Sequence, residues 1–132
     1  YLFPRNRTQS RFELRLNIIK QVRQWLEPEG RFILSNWQFL NSEKLKARIK
    51  DWDVLSFDYA QDESALSVVE ASMVDAGDYL LDWRSGGEGL RYVHHFNEDE
   101  LSALAAAGGF QIVETFYSDG ENGRLGMYQV WK

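Results

Sequence analysis

The sequence of 132 residues contains no cysteine and only two prolines. Without cysteine the chain can form neither a disulfide framework nor a catalytic thiolate, and it is compatible with a reducing compartment. No apolar run approaches the ~20 residues that a membrane-spanning helix requires, and the amino end shows no signal-peptide pattern. We therefore expect a cytoplasmic protein without a membrane partner.

Positive charge is also scarce, because 15 Lys and Arg face 20 Asp and Glu and leave a net charge of -5. Such a chain has no general attraction for phosphate backbones, so a nucleic-acid contact would need a local basic patch. One cluster qualifies: Lys44, Lys46, Arg48 and Lys50 surround a predicted short helix, Glu43 to Ile49, with Asn41 or Ser42 as its cap. A solvated helix face is the commoner interpretation of such a cluster, and a phosphate-contacting patch is the alternative.

Apolar residues are plentiful, with 44% hydrophobic content and five tryptophans. This composition predicts a packed globular body of one domain at most. The amino-terminal half opens with Ser10 and Glu13, which have the spacing of a capping box. Apolar residues then recur at three- and four-residue steps and predict a helix with one apolar stripe: Leu14, Ile18, Val22 and Trp25 or Leu26.

A turn and a strand follow this helix. Pro28 and Gly30 end the helix, and the continuous apolar run Phe32-Ile33-Leu34 predicts a short strand. We expect this strand to be buried on both faces, as the strands of parallel sheets are. Asn36 and Trp37 come at its carboxyl end, where open α/β sheets bind ligands. Plain packing is an equal alternative for Trp37.

The central part of the chain predicts a helix at 64–74, with a strand as the alternative, and then a hairpin. DYLLDW and LRYVHHF form the two arms, and the glycine-rich RSGGEG joins them. This connection is either a flexible hairpin tip or a phosphate cradle, but it lacks the lysine and the following helix of a P-loop.

The carboxyl-terminal part contains residues that predict where a helix begins and ends. Asn97 and Glu100 have capping spacing, and Gly108-Gly109 ends the predicted helix. A strand at 110–117, a polar loop at 118–124 and a last strand at 125–131 complete the chain.

Polar side chains with chemical potential concentrate in residues 78–96: Asp82, Trp83, Arg84, Arg91, Tyr92, His94 and His95. The two histidines are adjacent, so on a strand they point to opposite faces, which argues against a two-histidine metal site. A lone strand histidine is more often a structural hydrogen-bonding residue than a catalyst, since its imidazole suits both roles. On an ideal strand Arg91 lies with Val93 and His95 and not with His94.

Three parts of the chain carry a resemblance to known methyltransferases. RQWLEPEGRFILSNW resembles the RxLKPGGxLxxxxW stretch late in class I S-adenosylmethionine (SAM) dependent methyltransferases, with Glu29 where that pattern prefers glycine. DYLLDW with RYVHHFNEDEL is similar to DVLVPW…RYYHxFxEGEL of the tRNA wobble-uridine (carboxymethyluridine) methyltransferases. FYSDGENG is similar to SYYDQGNW of the same family.

The resemblance implies an α/β fold. Residues 1–132 would be the carboxyl-terminal portion of a Rossmann-like methyltransferase sheet, with a terminal antiparallel strand and an inserted hairpin. Residues 37–96 would form a substrate-side insertion. SAM would be the cofactor of the full-length protein, but its binding half is absent, since no G-x-G pattern follows a strand.

The resemblance also implies residue roles. His94 would be catalytic, and the substrate would contact Arg91, Tyr92, Trp83 and Asp82. Asn36 and Trp37 join the expected substrate contacts because of their place at the carboxyl end of a strand. The expected partner is tRNA or a small-molecule acceptor, with self-association through exposed sheet edges as a further expectation. The alternative function is a non-catalytic α+β protein-interaction module, which the five tryptophans would suit.

Overall fold

The computed structural model describes residues 10–52, 74–83 and 89–132. The helices are α1 (Arg11–Trp25), α2 (Glu43–Lys46) and α3 (Glu98–Ala107), with a 3-10 turn at Phe39–Asn41. The strands are β1 (Phe32–Trp37), β2 (Ile49–Lys50), β3 (Asp78–Trp83), β4 (Gly89–His94), β5 (Ile112–Ser118) and β6 (Gly126–Trp131). This content confirms a mixed α/β fold. The predicted helix at 64–74 lies outside the described residues except for Val74, and Arg84 and the hairpin tip at 84–88 lie outside them as well.

The chain divides into two compact units. The first comprises the residues up to Asn41 together with Phe96–Lys132, and the second comprises Ser42–His95. The limits of the second unit are close to the 37–96 of the predicted insertion. The substrate-side role of that insertion stays a prediction. In the part of the chain that the structure describes, no helix is both long and apolar enough to cross a membrane.

The sheet of the first unit has the strand order β1-β6-β5. β6 is antiparallel to both neighbours, so Trp131 lies opposite Phe32 on one side and Ile112 on the other. Two strands that are each antiparallel to β6 must run in the same direction. The carboxyl ends of β1 and β5 therefore lie at the same edge of this sheet, on either side of the start of β6.

The core of the first unit lies between this sheet and the helices α1 and α3. Trp131 is fully buried, and the rings of Phe32 and Phe110 pack against it with centroids 5.6 Å away in each case. The remaining buried members of the core come from both helices and from β6: Ile19, Leu101, Leu104, Ala105 and Met127. Alternation along β6 directs Met127 and Trp131 to this core.

The predicted capping box at the start of α1 is present, since Ser10 and Glu13 exchange side-chain to backbone hydrogen bonds of 3.2 and 2.8 Å. The predicted stripe is confirmed at Val22 and Leu26 but was wrong at Ile18, which is 64% exposed, and at Trp25, the alternative to Leu26, which is 74% exposed; Ile19 is buried instead. Phe12, Leu16, Val22 and Leu26 pack with it. The helix has two possible apolar stripes, and the one that contains Ile19 packs against the end of α3. The packing there is close, because a Cβ added at Gly108 would overlap Cγ2 of Ile19.

The expectation that β1 is buried on both faces was also wrong. Phe32 and Leu34 pack against the core, whereas Ile33 between them is 68% exposed. β1 pairs in antiparallel fashion with β6, and helices of the described region cover one face of this sheet. Antiparallel strands with one covered face show this alternation.

The second unit contains the sheet β2-β3-β4, which is antiparallel throughout. The predicted hairpin is confirmed as β3 and β4, with Asp78 opposite His94 and Trp83 opposite Gly89. The predicted helix at 43–49 was too long: α2 ends at Lys46, because Ile49 and Lys50 pair with β3 instead.

Two lysines of the predicted basic cluster form ion pairs with carboxylates. Lys46 lies 2.8 Å from Glu43, and Lys50 lies 3.8 Å from Asp82. This pairing favours the interpretation of the cluster as a solvated surface over a phosphate-contacting patch.

Candidate functional site

One face of the β3–β4 hairpin carries a buried cluster of hydrogen bonds centred on Asp78. Its Oδ1 atom lies 2.5 Å from Nδ1 of His94 and accepts the hydroxyl hydrogen of Tyr92 at 2.5 Å. Its Oδ2 atom accepts the backbone N–H of Asp75 at 2.8 Å. The side chains of His94 and Asp78 are 6% and 0% exposed. Burial of a carboxylate is costly unless donors surround it, and these contacts meet that requirement.

The sequence analysis placed Arg91, Tyr92 and His94 on one predicted strand, which is β4. The structure shows that their side chains do not all lie on the same face of the hairpin. Tyr92 and His94 share the face of Asp78, and Asp82 lies further along that face of β3. Arg91 lies opposite Leu81 and therefore on the other face, away from His94, as the ideal-strand argument requires. The backbone of Trp83 lies at the end of β3.

Gly77 adjoins this cluster in a backbone conformation with φ +94°. A Cβ at this position would lie 2.9 Å from the carbonyl oxygen of His95 and 3.1 Å from Cε1 of His94. The carbonyl of Gly77 accepts the N–H of His95 at 2.7 Å. The chain therefore needs glycine here both for its positive φ and for the close approach of His94.

We expect Gly77→Ala to lower the free energy of unfolding by roughly 1–3 kcal/mol, the cost of one strained backbone position. The matched control is Gly89→Ala in β4, where an added Cβ would meet no atom within 4 Å. Urea unfolding of both variants measures the difference. Equal stability of the two variants would contradict the close packing of Gly77.

The first unit carries a cavity of about 180 Å³ at the carboxyl ends of β1 and β5. Its lining comes from β1, from the loop that joins β5 to β6, and from β6: Ser35, Asn36, Trp37, Asp119, Leu125, Gly126 and Tyr128. Asn36 and Trp37 were predicted from the rule that ligands bind at the carboxyl ends of strands. The structure gives both residues this location.

Gly126 has no side chain to fill this cavity, and larger side chains surround it. Gly126 lies opposite Trp37, and a Cβ added to it would approach Cε2 of Tyr128 to 2.7 Å and Oδ2 of Asp119 to 3.0 Å. The hydroxyl of Tyr128 donates to Oδ2 of Asp119, and its ring stacks on Phe116 at 5.1 Å. Any larger residue at position 126 would displace the Tyr128–Asp119 pair.

Sequence reasoning missed Asp119 and Tyr128. Asp119 has a positive φ of 67°, a conformation that Asp adopts more readily than most residues, and the Asp119-Gly120 pair was the local signal of a turn. No local signal indicates Tyr128, because it meets Asp119 only through the pairing of β5 with β6.

The hydrogen bond to Asp119 raises the pKa of Tyr128 above its ordinary value of 10.0, and desolvation adds to the effect. A raised tyrosine pKa favours the neutral phenol in the folded state. Its contribution to stability is therefore complete below pH 10 and is lost as the pH rises through the folded pKa.

We expect spectrophotometric titration of the tyrosines to show that Asp119→Asn lowers the pKa of Tyr128, because a neutral amide replaces the charged carboxylate that accepts its hydroxyl hydrogen. The difference between each protein and its Tyr128→Phe counterpart isolates this residue among the six tyrosines. Tyr117 is an internal control, since its hydrogen bond to Glu98 raises its pKa independently. An unchanged Tyr128 titration in Asp119→Asn would contradict the assigned cause.

A cofactor or metal site would need a characteristic arrangement of strands, turns and ligands. In the described ranges, β1 leads into a 3-10 turn and β5 into the Asp119-Gly120 turn, and neither strand is followed by a glycine-rich turn that opens a helix. These residues do not fit a SAM cradle. The described residues also contain no group of three or more His, Cys, Asp or Glu side chains that could hold a metal ion.

No protein-family model matches the chain, and no curated protein matches it significantly.

Proposed function

We propose that this chain is the downstream part of a SAM-dependent methyltransferase that transfers a methyl group to an acceptor oxygen or nitrogen. The observation that carries the proposal is the sheet β1-β6-β5, whose last strand is antiparallel to two strands of common direction. A terminal antiparallel strand is what the sequence resemblance implies. The cavity at the carboxyl ends of β1 and β5, with Asn36 and Trp37 in its lining, agrees with it.

SAM supplies the methyl group in this proposal and binds the part of the full-length protein that precedes the chain. The residues of this chain serve the acceptor, which is tRNA, at a wobble uridine, or a small molecule. His94 exchanges a proton with the acceptor. Arg91 lies on the other face of β4 and offers a bidentate fork to a carboxylate or phosphate elsewhere on the acceptor. The proposed location is cytoplasmic.

The assignment of Arg91 has a direct test. We expect Arg91→Ala, in the protein made from its complete reading frame, to raise KM for the acceptor by about 10- to 100-fold, the worth of a hydrogen bond to a charged group. Arg91→Lys keeps the charge and loses the fork, so it should recover only part of this loss. Steady-state kinetics with each candidate acceptor provide the measurement. Unchanged kinetics for all of them would remove Arg91 from the site.

A second candidate function is a non-catalytic interaction module. The observation that favours it is the exposure of large apolar side chains on α1 and β1, namely Ile18, Trp25 and Ile33. Exposed apolar surface of this kind marks protein contacts when it is contiguous. The in-frame sequence upstream of Tyr1 separates the two candidates. A strand followed by a glycine-rich turn and a helix there would favour the enzyme, whereas its absence would favour the module.

A further inference from the structure

Side chains from one face of the β1–β6 pair border the cavity beside Gly126. Trp37 lies directly opposite Gly126, and Ser35 lies directly opposite Tyr128. Directly opposite residues of an antiparallel pair share a face of the sheet, and every second residue of a strand returns to that face. Ser35, Trp37 and Tyr128 therefore project from the same face around the position where Gly126 has no side chain. All four residues belong to the lining of the cavity.

The electrostatic character of this cavity comes from Asp119, the one residue with a formal charge among the described residues of the lining. The hydroxyl of Tyr128 donates to Oδ2 of Asp119, and this oxygen would lie 3.0 Å from a Cβ added at Gly126. Asp119 is exposed, so a ligand from solution can reach its carboxylate. No Lys, Arg or His in the described ranges forms an ion pair with Asp119. These described surroundings therefore give the cavity a negative charge without a neutralising cation.

We propose that this cavity binds a small organic cation, whose quaternary ammonium head is held by the carboxylate of Asp119 and the aromatic side chains of Trp37 and Tyr128. The carboxylate attracts the head by its charge, and aromatic rings attract it through the negative potential of their faces. The volume of about 180 Å³ equals that of about six water molecules at ~30 Å³ each. It therefore admits a group of about five heavy atoms, the size of a quaternary ammonium head.

The same features disfavour an anionic ligand in this cavity. A phosphate group would meet the carboxylate of Asp119 at close range, and contacts between like charges oppose binding. The inference deepens the proposed function and rests on it for the role of the ligand: the cation would be the head of a small-molecule acceptor, and tRNA would not enter this cavity. The binding of the cation is a property of this chain and can be tested without a methyl donor.

Two probes of the same shape test the role of charge. Choline has a quaternary nitrogen, and 3,3-dimethyl-1-butanol has a neutral carbon in its place. Amide ¹H–¹⁵N spectra of the labelled chain follow the titration with each probe, and sodium chloride at equal concentration is the control for ionic strength. We expect choline to shift the signals of Leu125 and Gly126 with a Kd of about 1 mM, and the neutral probe to bind at least about tenfold more weakly.

Removal of one charge inside the cavity and of one outside it separates the site from the net charge. Asp119→Asn keeps the shape of the side chain, and asparagine also adopts the positive φ of 67° found at this position. Glu114→Gln removes the same charge from β5, outside the lining of the cavity. We expect Asp119→Asn to weaken choline binding about tenfold and Glu114→Gln to leave it within about twofold of the wild-type value.

The comparison of the two probes on the wild-type chain decides even if Asp119→Asn does not fold. Equal affinity for both probes, or no shift with choline, would overturn the cation site. Choline binding in a protein that transfers no methyl group would contradict the proposed function and leave this inference intact. Methyl transfer to tRNA without choline binding would support the proposed function and overturn the inference.

Discussion

Replacement of Trp131 by alanine should lower the free energy of unfolding by about 3–5 kcal/mol, the usual cost of removing a large aromatic side chain from a core. The ring of Trp131 is fully buried against Phe32 and Phe110, and its Nε1 donates to Oε1 of Gln129 at 2.9 Å. The loss leaves both a large cavity and an unpaired amide oxygen. It is a large fraction of the ~5–15 kcal/mol that stabilises a typical domain.

The matched control is another tryptophan of the same unit. Trp25 is mostly exposed on α1, so we expect Trp25→Ala to change the free energy of unfolding by less than about 0.5 kcal/mol. Urea unfolding followed by circular dichroism gives both values without dependence on tryptophan fluorescence. Similar losses for the two variants would contradict the packing of the first unit.

Replacement of Asp78 by alanine should have a comparable effect on the second unit. It removes a buried carboxylate and leaves the hydroxyl of Tyr92 and Nδ1 of His94 without this hydrogen-bond partner. Leaving a buried polar group without its hydrogen-bond partner costs about 1–3 kcal/mol, so the loss of both contacts should lower the free energy of unfolding by about 2–6 kcal/mol. Asp78→Asn keeps the shape and one acceptor oxygen, so it should lose less.

The control for this variant is Asp51→Ala, because Asp51 lies in the same unit and is exposed. We expect it to change stability by less than about 0.5 kcal/mol. Hydrogen exchange of the amides of β3 and β4 reports the stability of the second unit on its own. Unchanged protection of β3 and β4 in Asp78→Ala would show that the cluster does not hold the hairpin together.

Local sequence signals identified most elements of this fold. The Ser10–Glu13 capping box, the Asn97 cap that accepts the N–H of Glu100, and the Gly108-Gly109 stop each satisfy backbone groups within a few residues. Such features depend on the chain nearby and can be recognised in the sequence. Alternation and turn residues likewise indicated the hairpin of β3 and β4.

Tertiary packing determines the features that could not be predicted from the sequence. Ile18 and Ile19 are adjacent and equally apolar, and only the approach of α1 to Gly108 determines that Ile19 is buried. The exposure of Ile33 likewise depends on which face of the sheet the helices cover. Periodicity within one element contains no information about its neighbour.

The candidate site shows the same division. The carboxyl-end rule found Asn36 and Trp37 from the sequence, and strand alternation separated Arg91 from His94. Asp78 was not predicted as a site residue, because its partner His94 is 16 residues away and their contact depends on the register of the hairpin. Tyr128 and Asp119 are nine residues apart and meet across the β5–β6 pairing.

Transfer of radiolabelled methyl groups tests the central claim most directly. The protein made from its complete reading frame is incubated with labelled SAM and either total tRNA or a pool of small-molecule acceptors, beside a His94→Gln variant. We predict label in one of these acceptors, with a loss of about 10²–10⁴-fold in the variant, the usual contribution of a general base. Absence of label from every acceptor, or equal labelling by the two proteins, would contradict the account.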